Sequence, residues 1–161
     1  ENVDIQERLS SIFAALGELA EKFSKTVLVS VHPRTAERLK EFGIRPSSAS
    51  VRLLRSLGFF DFVKLEKNSL AVLTDSGTVQ EECSIFGIPN VTVRDVTERP
   101  ETIECGSNIL AGASREFIVR SVELAISQPS TWTPPREYLV NNVSQTISKI
   151  VLGYLSRRIH H

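Results

Sequence analysis

Short apolar runs of strand length alternate with stretches of helical spacing along most of the chain, and a chain patterned this way has few folds open to it. Asp4 is placed to cap a helix whose apolar positions Ile5, Leu9, Ile12, Phe13, Leu16, Leu19, Ala20 and Phe23 recur at steps of three and four. A β-branched run from Lys25 to Val31 follows, and His32-Pro33 ends it because proline cannot continue a central strand. Thr35 to Phe42 reads as a short helix stopped by Gly43, Ser50 to Leu54 as a strand, and Phe59 to Leu65 as a helix opened by Gly58. Leu70 to Thr74 is apolar and of strand length; Asp75-Ser76-Gly77 breaks it, and Thr78 to Phe86 resumes helical spacing until Gly87 and Pro89. A strand at Asn90 to Arg94, a loop at Asp95 to Pro100, a short helix near Glu101 to Glu104, a strand at Ser107 to Leu110 and a helix from Ser114 to Ile126 complete the alternation.

Units of this length predict an α/β domain over residues 1–127, a doubly wound parallel sheet with helices on both faces and right-handed crossovers. Residues 128–137 form a proline-rich connector. Residues 138–158 read as a last amphipathic helix packing back on the fold, with Val140, Val143, Ile147, Ile150, Val151 and Tyr154 on one side. His160 and His161 read as the remnant of a purification tag.

Charge excludes some functions. Nineteen basic residues balance nineteen acidic ones, so no long-range field favours nucleic acid or an anionic membrane. No apolar run approaches the roughly 20 residues of a spanning helix, and the polar start is unlike a signal peptide; the expectation is a soluble, cytoplasmic protein. Cys83 and Cys105 are too few for a disulfide framework and lie in no zinc-like spacing, so both are expected to be buried thiols and no metal is expected.

Parallel sheets bind ligands beyond the carboxyl ends of their strands, which singles out three loops. Asp75-Ser76-Gly77-Thr78 opens a helix, where unpaired amides and a glycine suit a phosphate; an ordinary N-cap by Asp75 or Ser76 explains the same residues. The P-loop lysine and the dinucleotide fingerprint are both missing. Glu82, one turn into that helix, complements the macrodipole or accepts hydrogen bonds from a ribose diol. Arg94 to Glu101 packs five charges into eight residues, as a solvated loop or as the source of a guanidinium fork, Arg99, for phosphate or carboxylate. His32, at a strand end, is a structural hydrogen-bond partner or a functional group, and Phe62 is a core residue or a platform for a base.

Four stretches in order carry a resemblance: Glu1-Asn2-Val3-Asp4, Val31-His32-Pro33-Arg34-Thr35, Val72 to Glu82, and Arg94 to Glu101. Together they resemble the non-hydrolysing UDP-N-acetylglucosamine 2-epimerase family from residue 1 to about residue 126. The resemblance covers the C-terminal half of a two-domain, glycosyltransferase-B-like fold whose active site lies between two Rossmann-like domains. It implies that Ser76, Gly77 and Thr78 hold the UDP diphosphate, Glu82 the ribose, Arg99 the anionic part of the nucleotide sugar and Phe62 the neighbourhood of the uracil, with His32 also among the substrate-binding residues. Most relatives have a second glycine where this chain has Thr78, a departure that bears on which UDP-sugar is used.

The implied reaction interconverts UDP-GlcNAc and UDP-ManNAc by loss and re-addition of UDP, with proton transfer at C2 and no metal or nicotinamide. The implied partners are UDP-GlcNAc or UDP, the chain's own N-terminal domain, and a second copy in a full-length homodimer. The proton-transfer groups belong to that N-terminal domain, so no catalytic residue is expected here and the chain reads as a truncated form without turnover. The alternatives are the donor-binding domain of a glycosyltransferase, an epimerase of a related UDP-2-acetamido sugar, and a nucleotide-sugar sensor.

Overall fold

The computed structural model describes residues 2–158, so Glu1 and the expected tag remnant lie outside the described residues. Helices and parallel strands alternate: α1 (Gln6–Lys22), β1 (Val27–Ser30), α2 (Pro33–Glu41), β2 (Val51–Leu54), α3 (Phe59–Lys67), β3 (Val72–Thr74), α4 (Gly77–Phe86), β4 (Asn90–Thr92), α5 (Pro100–Glu104), β5 (Asn108–Leu110) and α6 (Arg115–Ser127). A 3-10 turn at Arg136–Leu139 and α7 (Val143–Arg158) follow the connector. This is an α/β fold of parallel strands.

The strands form two hydrogen-bonded sheets. β1 pairs with β2, and β3, β4 and β5 pair in that order, with Leu73, Val91 and Ile109 in register. Side chains bridge the two sheets: Leu16 and Ala20 of α1 pack in one cluster with Val27, Val29, Val51 and Leu73. Helix α1 also contributes Ala15 and Leu19 to a second cluster with Val91, Val93 and the α6 residues Ile118, Val119 and Val122. Two sheets thus share one helix as their common packing surface.

The faces of the three-stranded sheet differ in chemistry. Successive strand residues point to opposite sides, so Val91 enters the apolar cluster under α1 and α6 while Asn90 and Thr92 turn toward α4 and α5. There Thr92 donates to Asn108 Oδ1 at 2.9 Å, and Asn108 Nδ2 donates to Gln80 Oε1 at 3.2 Å and Thr102 Oγ1 at 3.1 Å. Every one of these side chains is buried. Burial of an amide is costly unless its hydrogen bonds are made, so this layer fixes the rotation of α4 and α5 on the sheet.

Three expectations are corrected here. Asp4 does not cap α1: Ile5 occupies that position, and the Asp4 carboxylate is held by Arg34 and Arg38 of α2. Helix α2 starts at Pro33 rather than Thr35, because His32 Nδ1 accepts from the Arg34 amide and proline suits a first helical position. The last helix does not bury its apolar stripe: Val143, Ile147, Ile150 and Val151 are 48–66% exposed. Ahead of it, Trp132 Nε1 donates to the Ser84 carbonyl at 3.0 Å and Tyr138 donates to Glu101, which fastens the connector and the 3-10 turn after it across α4 and α5.

Ile118 has no solvent exposure at the centre of the α1–α6 cluster. Ile118→Ala is expected to cost about 2–5 kcal/mol in urea unfolding, as deletions from a close-packed core do; a loss below 1 kcal/mol would show that the cluster is loosely packed.

Candidate functional site

The chain leaves β3 at Thr74 and enters α4 at Gly77 through a two-residue turn. Thr74 Oγ1 accepts from the Ser76 amide at 3.0 Å, which holds Ser76 in extended geometry ahead of the helix. The Ser76 side chain makes no capping hydrogen bond. The ordinary-cap reading therefore fails for Ser76, and a helix start not capped in this way offers its first-turn amides to an acceptor.

Arg99 stands over this helix start. A Cβ built on Gly77 would lie 3.4 Å from Arg99 Cζ and 3.5 Å from Nη2. Glycine thus leaves a gap about one methyl wide between the helix backbone and the guanidinium. Arg99 Nε donates to Glu81 Oε1, and Nη1 donates to the Glu98 carbonyl at 3.0 Å. Cζ, Nη2 and Nε lie at nearly equal distances from that position, so the guanidinium turns its flat face to the helix start. The hydrogen bond to Glu81 holds Arg99 more firmly protonated than a free arginine. Backbone amides and a cation meet at one corner, and their combined donors and positive charge suit an anion such as a diphosphate.

The structure brings Ser76, Gly77 and Arg99 together, with Thr78 exposed in the first helical turn. Glu82 follows on the same helix, half-buried, and burial with the neighbouring charge of Glu81 raises its pKa. Phe62 is half-buried on α3, which packs against α4; Phe59 and Phe60 beside it are largely exposed and meet edge to face at 5.6 Å. His32 has a local role as the cap of α2, and the contact shown for it does not involve the corner. Cys83 is fully buried and its thiol is pushed up to about 12 by burial, which makes it unreactive; Cys105 is half-buried.

Sequence reasoning missed several residues that build this corner. Gln80 and Thr97 connect the Arg99 loop to the sheet: Thr97 Oγ1 donates to Gln80 Oε1 at 2.6 Å and accepts from the Arg99 amide at 3.1 Å. Tyr138, in the 3-10 turn after the connector, donates to Glu101 directly after Arg99-Pro100, and this bond holds the Glu101 carboxyl below its ordinary pKa. Glu66 on α3 is only 3% exposed, both of its oxygens lack a hydrogen-bond partner among the described residues, and burial with the charge of Glu82 pushes its pKa up to about 7. Its sequence position, between two lysine-bearing turns of a short helix, reads as surface.

Comparison with known proteins identifies the family of the fold that carries this corner. The family model described as UDP-N-acetylglucosamine 2-epimerase matches residues 1–152. The chain is 43% identical over 138 residues to a UDP-N-acetylglucosamine 2-epimerase of Methanocaldococcus jannaschii, covering 84% of this chain and 38% of that protein. It is 39% identical over 128 residues to a UDP-2,3-diacetamido-2,3-dideoxy-D-glucuronate 2-epimerase of Pseudomonas aeruginosa, covering 80% of this chain and 35% of that one. The crystal structure of the Methanocaldococcus jannaschii enzyme in complex with UDP-GlcNAc and UDP superposes with a TM-score of 0.84 at 40% identity, over 95% of this chain and 42% of that chain. The chain thus spans about two fifths of the length of such relatives.

Glu66 supplies a test of the packing behind the corner. Its carboxyl ionises near 4.5 when the chain is unfolded and near 7 when it is folded. The folded chain therefore holds the extra proton between those values, and the stability this group contributes is complete below pH 4.5 and lost as pH rises through 7. Glu66→Leu is expected to flatten the pH dependence across that window and to be more stable than the unmodified chain at pH 8 by roughly 1–3 kcal/mol in urea unfolding. Identical pH slopes in both proteins would contradict the burial.

Proposed function

The chain belongs to the UDP-N-acetylglucosamine 2-epimerase family, and on that premise we propose that it is the UDP-binding half of an enzyme interconverting UDP-GlcNAc and UDP-ManNAc. The observation that carries the reading is the corner where the start of α4 at Gly77 and the Arg99 guanidinium come together, a pairing of backbone amides and positive charge. In this reading the diphosphate sits against the amides of Gly77 and Thr78 beside the Ser76 hydroxyl, Arg99 meets its charge, Glu82 accepts from the ribose hydroxyls, and Phe62 lies near the uracil. His32 is left to its capping role.

The chemistry follows from where charge develops. UDP is the leaving group of an elimination, so negative charge grows on its diphosphate as the bond to the sugar breaks. Fixed donors at that position stabilise the transition state more than the ground state. The elimination gives a glycal; return of UDP with C2 reprotonated on the other face gives the epimer, without net hydrolysis. The groups that move the C2 proton lie in the remainder of the protein, so this chain alone binds without turnover. A related UDP-2-acetamido sugar is the second reading, favoured by the 39% identity to the Pseudomonas aeruginosa diacetamido-glucuronate 2-epimerase and by the Thr78 side chain at the diphosphate.

Calorimetry on the chain is expected to show tighter binding of UDP than of uridine. Arg99→Ala is expected to weaken UDP by about tenfold or more and uridine by less than about twofold, since a charge-assisted hydrogen bond contributes on the order of 1.5–3 kcal/mol. Equal losses for both ligands would remove Arg99 from diphosphate recognition. Joined to the N-terminal part that its relatives carry, the chain is expected to support epimerisation in deuterated water with deuterium at C2 of the product. A product without label there would rule out the elimination.

A further inference from the structure

The loop that carries Arg99 is mostly in solvent. Asp95, Val96 and Glu98 are exposed, and among the described residues of this loop Thr97 is the one whose side chain turns inward to the buried polar layer. Its hydroxyl joins two elements: it donates to Gln80 Oε1 at 2.6 Å and accepts from the Arg99 backbone amide at 3.1 Å. Gln80 is 1% exposed and its oxygen also accepts from Asn108 Nδ2, so it cannot turn toward the loop or away from it without orphaning a buried amide.

Gln80 lies three residues after Gly77 on α4, and Glu81, which holds the Arg99 guanidinium, is its neighbour. Both halves of the anion corner are therefore referred to one helix. The backbone cradle is its first turn, and the cation is tied to it twice, through Glu81 at the side chain and through Thr97 and Gln80 at the main chain. Arginine has many rotamers, and fixing the head group alone leaves its Cα free to drift on an exposed loop. The Thr97 hydroxyl removes that freedom. It also leaves the guanidinium's outer edge unspent, since the anchor uses the main-chain amide and no donor of the fork.

We propose that Thr97, backed by Gln80, is a positioning residue for diphosphate recognition: its hydroxyl sets the height of Arg99 over the α4 N-terminus. This rests on the UDP-binding reading above. Preorganisation of this kind acts on the charged part of the ligand alone, because Thr97 touches neither the sugar nor the base in that reading.

Thr97→Val keeps the shape and removes both hydrogen bonds; Thr97→Ser keeps both. Binding of UDP and of uridine is measured for each by calorimetry, in the unmodified chain and in an Arg99→Ala background, with exchange of the Arg99 amide followed by NMR. Thr97→Val is expected to weaken UDP about five- to tenfold, to change uridine by less than about twofold, and to speed exchange of the Arg99 amide at least about tenfold, while Thr97→Ser restores all three. In the Arg99→Ala background Thr97→Val is expected to cost UDP nothing further. A UDP preference that survives Thr97→Val unchanged, or a loss that persists without Arg99, overturns the positioning role while leaving the nucleotide reading intact. An unmodified chain that binds UDP no better than uridine overturns the nucleotide reading and the role with it. An unchanged Arg99 amide in Thr97→Val overturns the anchor itself.

Discussion

An amide buried between a sheet and two helices has to be matched on all sides, and the position of Gln80 decides how the edge of this domain around the start of α4 is built. Its oxygen takes one hydrogen bond from Asn108 on β5 and one from Thr97 in the loop after β4. Helix α4 consequently has one rotation on the sheet, and that rotation directs its first turn and Glu81 toward Arg99. Had the layer been apolar, α4 could have settled at several angles with similar burial, because dispersion contacts are not directional. The polar layer gives up some hydrophobic stabilisation and gains a defined geometry at the helix start.

The other face carries the burden of stability. Helix α1 packs beneath both hydrogen-bonded sheets, with Leu16 and Ala20 under the β1–β2 pair and Ala15 and Leu19 against β4 and α6. The two sheets meet through side chains there, so this packing opposes relative movement between them. The apolar side of the sheet holds the domain together, and the polar side orients the start of α4 and the Arg99 loop. The connector and the 3-10 turn after it belong to the second task, since Trp132 and Tyr138 fasten them to α4 and α5.

Much of this was legible in the residues. The alternation of strand and helix, the break at Asp75-Ser76-Gly77 and the charged run through Arg99 are local patterns, and the structure places them as that pattern implies. What the pattern could not carry is pairing between distant residues. Asp4 reads as a helix cap on local grounds, yet two arginines thirty or more residues away claim its carboxylate. Glu66 has the look of a surface residue on a charged short helix and is buried by the approach of α4. Gln80, Thr97 and Asn108 are ordinary polar residues in sequence, and only the register of β4 on β5 makes them one network. The last helix was legible as amphipathic, but periodicity says that a stripe exists and nothing of what it meets.

The central claim, that the α4 N-terminus and Arg99 together receive a diphosphate, is tested most directly by mapping UDP on the isotope-labelled chain. In a titration followed by amide and arginine side-chain NMR signals, the account expects the largest shifts at Gly77, Thr78 and Val79 and at Arg99 Nε, with uridine alone leaving those four signals nearly in place. Shifts that gather elsewhere, such as the surface lined by Arg8, Asp95 and Phe117 between α1 and α6, with residues 77–79 and Arg99 unmoved, would contradict it.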